Sequence, residues 1–252
     1  MKIEERPFLV ATDLDDTLVG PTTLDREALR ALNRTIERTG AALVYVTGRS
    51  LALTLDLIAE AELLLPHAFI TSVGTQIHFP DDLDHPDPEW HAHLSLGWDL
   101  NIIEKTVAAY PQLRRQPHSE QGPFKRSFTL GPDDAWLIEK IEYTLAETGL
   151  RVRLVYSSDR DLDILPAAGV KGHAVRFLQE RWGFLPERTV VCGDSGNDVS
   201  LFETGNRGIA VANAKPELVR WLTRQPNLAV YRASERCAAG ILEGLRHWGW
   251  GD

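Results

Sequence analysis

Two acidic clusters hold the residue types from which metal-assisted phosphoryl chemistry could be built. One is Asp13-Leu14-Asp15-Asp16-Thr17 near the start of the chain, and the other is Gly193-Asp194-Ser195-Gly196-Asn197-Asp198 far downstream. Each follows a short apolar run, Phe8-Leu9-Val10-Ala11 and Thr189-Val190-Val191-Cys192, that reads as a buried parallel strand. Carboxylates at the carboxyl ends of neighbouring parallel strands converge in the crevice where such sheets bind ligands. Brought that close they repel one another unless a cation sits between them, and hard oxygen ligands with room for water suit Mg²⁺. Asp13 is the candidate nucleophile, because a carboxylate can attack phosphorus. Asp15, two residues on, is expected on the same side of an extended segment, where it can protonate a leaving oxygen and later deprotonate water. Thr47 at a strand tip and Lys171 at a helix start offer a hydroxyl, backbone N–H groups and a compact positive charge to phosphoryl oxygens. Asp194 is expected to ligate the metal directly, with Asp198 completing the cluster, and Asn197 and Ser195 are placed to bond phosphate or orient Lys171. Phosphoryl transfer needs in-line positioning and charge neutralisation, which this inventory supplies.

These residues sit at fixed points in a strand–helix alternation. Leu29, Leu32 and Ile36 share one helical face, with Gly40 placed to end that helix. Ala41–Val46 reads as a second buried strand running into Thr47-Gly48-Arg49, a helix around Leu51–Leu64 is stopped by Pro66, and Ala68–Ser72 reads as a third strand. The Pro/Asp-rich stretch from Pro80 to Pro88 breaks the rhythm and marks a domain boundary. A helix near Trp98–Tyr110, a strand at Lys125–Leu130, a helix from Asp133 to Thr148 and strands at Leu150–Tyr156 and Asp161–Leu165 form a small α/β insert. Pro166-Ala167-Ala168-Gly169 returns the chain to the alternation, which resumes with a helix at Lys171–Trp182. The expected architecture is a doubly wound parallel-sheet, Rossmann-like core of residues 1–80 and 168–252 with an inserted α/β cap domain of residues 81–167.

The 252 residues are 43% hydrophobic and 25% charged, enough apolar material for a sizeable core. A net charge of −9 argues against nucleic acid or an anionic membrane as partner. No run approaches a membrane span, Asp13, Asp15 and Asp16 interrupt any secretory signal, and two cysteines make no disulfide framework, so a cytoplasmic location is expected. His91-Ala92-His93 lacks a third ligand at zinc spacing and reads as surface histidine.

The four motifs resemble those of the haloacid dehalogenase superfamily of aspartyl-nucleophile phosphatases. Within it the chain is similar to the sucrose-phosphate phosphatase family over nearly its whole length. The resemblance is carried by Thr12-Asp13-Leu14-Asp15, Val46-Thr47-Gly48-Arg49-Ser50, Val73-Gly74-Thr75, Tyr156-Ser157-Ser158, Asp161-Leu162-Asp163-Ile164-Leu165-Pro166 and Cys192 through Asp198. It implies Asp13 as nucleophile, Asp15 as acid and base, and Thr47 and Lys171 as phosphate binders. It also implies Mg²⁺ held by Asp13, the Asp15 backbone carbonyl and Asp194, with Asp198 in support, and hydrolysis of sucrose 6-phosphate under a cap of the second type. Core contacts to substrate are expected from Thr47, Gly48, Arg49, Gly74, Thr75, Gln76 and Asn197. Gln76 stands where the family usually has an acid. Arg49 faces substrate or pairs with a surface carboxylate. In the cap, Lys125, Ser157, Asp161 and Asp163 are expected to line the sugar pocket. The implied ligand is a small-molecule sugar phosphate and the expected state a monomer, with association with sucrose-phosphate synthase left open.

Overall fold

In the computed structural model, which describes residues 2–251, each apolar run of the first segment becomes a strand buried on both faces. β1 (Leu9–Thr12) is followed by α1 (Thr23–Thr39), β2 (Ala42–Val46), α2 (Leu51–Ala61), β3 (Ala68–Thr71) and β4 (Gln76–His78). The middle segment holds α3 (Pro88–Ser95), α4 (Leu100–Val107), β5 (Arg114–Arg115), β6 (Arg126–Thr129), α5 (Leu137–Glu147), β7 (Val152–Ser157) and β8 (Asp161–Pro166). The last segment runs through α6 (Lys171–Trp182), β9 (Thr189–Gly193), α7 (Val199–Phe202), β10 (Arg207–Ala210), α8 (Pro216–Thr223), β11 (Val230–Arg232) and α9 (Cys237–His247).

The large sheet has the order β11-β10-β9-β1-β2-β3-β4. Every pairing in it is parallel except the edge strand β4, which runs antiparallel to β3 with Ile70 opposite Ile77. Alternate residues of the strands feed two cores. Phe8, Val10, Leu43, Tyr45 and Phe69 pack with α1 and α9 on one face. Leu9, Ala11, Val44, Val46 and Ile70 pack with α3, α6 and α8 on the other. Side chains of this size contribute about 1.5–3 kcal/mol each when fully buried, so the strands carrying the site are anchored from both sides. Capping fixes the helices. Thr22 and Asp25 form a reciprocal capping box at the start of α1, and Gly40 ends it at φ 67°. α2 ends before the expected Leu64, because Glu62 adopts a left-handed conformation and closes the helix.

The smaller sheet, β5-β6-β8-β7, is wholly antiparallel and buries its own cluster of Ile103, Phe128, Ile141, Leu145, Leu162 and Ile164 under α4 and α5. α3 behaves differently from the rest of the middle segment. Its Trp90 and Leu94 bury against the large sheet's core, not against the small sheet. At the carboxyl end Trp250 stacks on Phe8 with ring centres 4.5 Å apart, docking the tail on the core.

Candidate active site

Three adjacent strands of the large sheet, β9, β1 and β2, deliver the principal polar groups at their carboxyl ends. Thr12 lies beside Cys192 on one side and Tyr45 on the other, so Asp13, Asp194 and Thr47 emerge side by side. Beyond Thr12 the chain makes a tight turn closed by Leu18 and Val19 N–H donating to the Leu14 carbonyl, with Asp16 in a left-handed conformation. That turn leaves both Asp13 and Asp15 on the wall of one cavity, at different depths. Asp13 is 5% exposed on the sheet end, whereas the Asp15 side chain is 52% exposed at the cavity wall.

Lys171, fully buried at the first residue of α6, donates to Asp13 Oδ1 at 2.9 Å and to Asp198 Oδ1 at 2.7 Å. The other oxygen of Asp198 accepts the backbone N–H groups of Asp194 and Ser195. Asp198 is therefore an organiser, locking the Gly193–Asp198 turn and aiming Lys171. Thr17 donates to Asp194 Oδ1 at 2.8 Å. Carboxylate oxygens of Asp13, Asp194 and Asp198 come within 4.8 Å of one another. Burial pushes Asp13 up to about 7, with Lys171 opposing and Asp198 adding to the rise. Burial likewise pushes Asp194 up to about 8, reinforced by Asp198 and Asp13. Burial works against the Lys171 charge as well, but Asp13 and Asp198 outweigh it and hold the ammonium above its usual range. One ammonium against three carboxylates leaves two negative charges uncompensated when all are ionised. A hard divalent cation fits that donor set.

Above these groups opens a cavity of about 260 Å³. The large sheet contributes Asp13, Asp15, Thr47, Gly48, Arg49, Asp194, Ser195 and Asn197 to its wall. The small sheet contributes Lys125, Ser157, Ser158, Asp161 and Asp163. Thr47 is buried, its N–H bonded to Ile70 and its Oγ1 accepting the Arg49 N–H. Arg49 grips Asp15 with two bonds of 2.7 Å, so the carboxylate it pairs with is the candidate acid and base itself. Lys125, 4% exposed, spans the two sheets. Its Nζ lies 3.4 Å from the Gly48 carbonyl, 3.7 Å from Glu120 and 3.8 Å from Asp163. Burial raises Asp163, and Lys125 and a bond from Ser127 work against that rise.

Three expected substrate contacts lie elsewhere. Gly74 packs against the backbone of Val170 and Lys171, Thr75 Oγ1 donates to the Ser72 carbonyl, and the Gln76 amide oxygen accepts from Thr71 at 3.5 Å. None of them lines the cavity, because β3 turns back into β4 and carries this stretch behind the strand ends. The unusual amide at Gln76 thus bears on sheet packing, not on the cavity. Lys171 also lies below the cavity floor and acts through Asp13 and Asp198. Conversely, the cavity wall includes Asp16, Gln116, Glu120 and Lys215, which the sequence reading passed over as site residues. Lys215 pairs with Asp16 at 2.8 Å, and its backbone N–H bonds the Asp194 carbonyl. Its signal was available: it stands between a strand end and the proline that opens α8.

A mainly parallel sheet with an antiparallel edge strand and an inserted second sheet is the α/β fold of the haloacid dehalogenase class, shared with solved structures of that superfamily. Within that class the chain belongs to the sucrose-6F-phosphate phosphohydrolase family, whose model matches residues 6–249. It is 38% identical over 254 residues to sucrose-phosphatase 1 of Nicotiana tabacum, covering 97% of this chain and 60% of that protein. The chain thus spans about 60% of the length of the plant relatives it matches. The mannosylfructose-phosphate phosphatase of Agrobacterium fabrum is 35% identical, with 96% of both chains covered. Among solved structures, the sucrose-phosphatase of Synechocystis sp. PCC6803 in complex with sucrose and phosphate superposes with a TM-score of 0.90 at 36% identity, covering 97% of this chain and 98% of that one. Among the described residues, no helix is long and apolar enough to cross a membrane.

Proposed function

We propose that this chain is a magnesium-dependent phosphatase that hydrolyses sucrose 6-phosphate to sucrose and phosphate through an aspartyl-phosphate on Asp13. The observation that carries the reading is the buried Asp13–Lys171–Asp198 chain, with Asp194 beside it, beneath a cavity roofed by a polar second sheet. A carboxylate oxygen of Asp13 attacks phosphorus, and the bond from phosphorus to the sugar oxygen breaks. In its protonated form, free of the Arg49 pair, Asp15 gives its proton to that oxygen; as the carboxylate it then takes a proton from the water that attacks phosphorus, which breaks the bond to Asp13 and releases phosphate. Lys171 fixes the attacking carboxylate and holds positive charge at the centre, while the Thr47 hydroxyl and the Gly48 backbone N–H bind phosphoryl oxygens. Mg²⁺ would be held by Asp13 and Asp194, with the Asp15 carbonyl completing the set, and would supply charge neutralisation between those carboxylates and the phosphate. Residues 1–80 and 168–252 serve as the catalytic domain and residues 81–167 as the cap, except that α3 (Pro88–Ser95) packs with the catalytic domain, and Lys125, Ser157, Asp161 and Asp163 are turned to the sugar. The tobacco and cyanobacterial relatives support sucrose 6-phosphate as the substrate.

A second reading, mannosylfructose phosphate, is favoured by the Agrobacterium relative, which matches end to end. Phosphate release with and without Mg²⁺ separates them. The panel is sucrose 6-phosphate, mannosylfructose phosphate, mannosyl-3-phosphoglycerate, trehalose 6-phosphate and simple hexose phosphates. A kcat/KM for sucrose 6-phosphate at least about tenfold above the others is expected, a difference of about 1.4 kcal/mol. A preference for mannosylfructose phosphate would replace the substrate, and no magnesium-dependent release from any would overturn the phosphatase reading.

A further inference from the structure

Immediately behind Thr47 lies the most strained stretch of backbone in the core. Ser72, Val73 and Gly74 follow one another in left-handed conformations, with φ of 51°, 64° and 107°. For a β-branched residue such as Val73 this is a genuine outlier, and such positions cost of order 1–3 kcal/mol each unless their surroundings hold them. The turn is tied to the phosphate-side loop by two bonds. Ser72 N–H donates to the Arg49 carbonyl at 2.8 Å, and Val73 N–H donates to the Thr47 carbonyl at 3.0 Å. Gly74 is pressed onto the start of α6, where a Cβ would stand 2.3 Å from the Val170 carbonyl carbon and 2.5 Å from the Lys171 nitrogen. One turn therefore sets the height of Thr47 and Arg49 and meets the helix that presents Lys171.

The group that holds this turn from outside is Trp90. Its indole N–H donates to the Gly74 carbonyl at 3.0 Å, and the side chain is 2% exposed. α3, which carries it, is itself fastened. Asp87 caps it by accepting the Trp90 backbone N–H at 2.8 Å and pairs with Arg181 of α6 at 2.6 Å. The Trp90 ring packs on Phe177, also of α6, with centres 5.1 Å apart. A helix from the middle segment thus reaches back across the core and braces both the strained turn and the far end of the Lys171 helix. This explains why α3 buries in the core instead of the cap.

We propose that Trp90 is a positioning residue for phosphoryl transfer. Its N–H fixes the Gly74 carbonyl, keeps the 72–74 turn left-handed, and so holds Thr47, Arg49 and Lys171 in register. The proposal rests on the phosphatase reading above for its kinetic arm but not for its structural one.

Trp90→Phe keeps the ring and removes the donor. Amide hydrogen exchange at Ser72 and Val73 should speed up about tenfold, and kcat on p-nitrophenyl phosphate with Mg²⁺ should fall about tenfold, because small displacements of positioning groups are expensive in rate. Ser72→Gly in the same chain should restore most of the lost kcat, since glycine holds a left-handed φ without an external tether. A Trp90 that serves only packing would lower the melting temperature and leave exchange and kcat unchanged, which overturns the proposal, as does a double variant with no recovery. If Trp90→Phe does not fold, Arg181→Met loosens α3 from its other end. Faster exchange at Ser72 and Val73 is expected there too, and unchanged exchange overturns the idea. If the wild-type protein releases phosphate from nothing, the phosphatase reading fails while the exchange measurement still decides the role of Trp90.

Discussion

The floor and the roof of the cavity are built to different tolerances. On the floor, Lys171 meets its two carboxylates at 2.9 and 2.7 Å, and the second oxygen of Asp198 is taken by two backbone amides. On the roof, Lys125 is almost as deeply buried, yet its three partners stand 3.4, 3.7 and 3.8 Å away. The floor is preorganised, so charge developing in the proposed reaction would meet fixed dipoles at no cost of reorganisation. The roof has slack: a buried ammonium with long contacts can gain shorter ones when a hydroxyl-rich ligand arrives. Chemistry that must be the same at every turnover belongs to the first kind of site, and recognition that waits for its ligand suits the second.

The comparison breaks most plainly at Asp13. Asp13→Asn keeps the size and the contact with Lys171 but removes the nucleophile, and kcat should fall roughly 10⁴-fold or more on every phosphomonoester, sugar or not. Steady-state phosphate release measures it, and retention of substantial activity would show that the floor is not the reacting centre. A roof substitution should behave otherwise. Lys125→Ala removes a charged partner worth about 1.5–3 kcal/mol, so KM for sucrose 6-phosphate should rise roughly 10- to 100-fold with kcat within about threefold. KM for p-nitrophenyl phosphate, which has no sugar, should not move. Equal losses on both substrates would place Lys125 in the floor's task and erase the distinction.

The same contrast accounts for what the sequence disclosed. The floor was legible because each of its residues sits at a strand end or helix start, and those boundaries follow from short apolar runs. α6 begins at Lys171 and ends at Trp182, as its pattern indicates. The roof depends on which residues of a small antiparallel sheet face inward and on a loop folding under it, and neither is local. Gln116 and Glu120 lie in the stretch between α4 and β6, which has no periodicity to read. α3 was hidden for another reason. It is eight residues long, and its cap Asp87 and first-turn Pro88 are also turn formers, so it merged with the Pro/Asp-rich loop before it. Gln76 shows the converse. A residue in the loop after a strand looks like a cavity residue, but Gln76 opens the antiparallel edge strand β4, opposite Thr71, and stands outside the cavity wall. Arg49 stood between two readings in the sequence, and the structure shows the pairing, with Asp15, at the cavity wall.

The smallest effect tests the charge count on the floor. Asp13 and Asp194 have folded-state values raised from 3.8 to about 7 and about 8. A carboxyl group raised in this way favours the folded state while protonated. That contribution is complete below pH 3.8 and is lost as pH rises through about 7 to 8. In that same window the ionised pair becomes a divalent-cation site, so metal binding should offset the loss. The melting temperature with EDTA should therefore fall between pH 6 and pH 8.5, and the increment given by Mg²⁺ should grow over the same interval. At a hundredfold excess over Kd the increment corresponds to about 2.7 kcal/mol, or roughly 5–10 °C for a chain of this size. At pH 6, where protons compete for the same oxygens, it should shrink to a few degrees or less. Asp13→Asn removes one of the two titrating groups and should flatten the pH dependence of the increment, whereas Lys125→Ala on the roof should leave it intact. A magnesium increment equal at both pH values would mean that the cation is not held by Asp13 and Asp194, and the two excess negative charges on the floor would need another explanation.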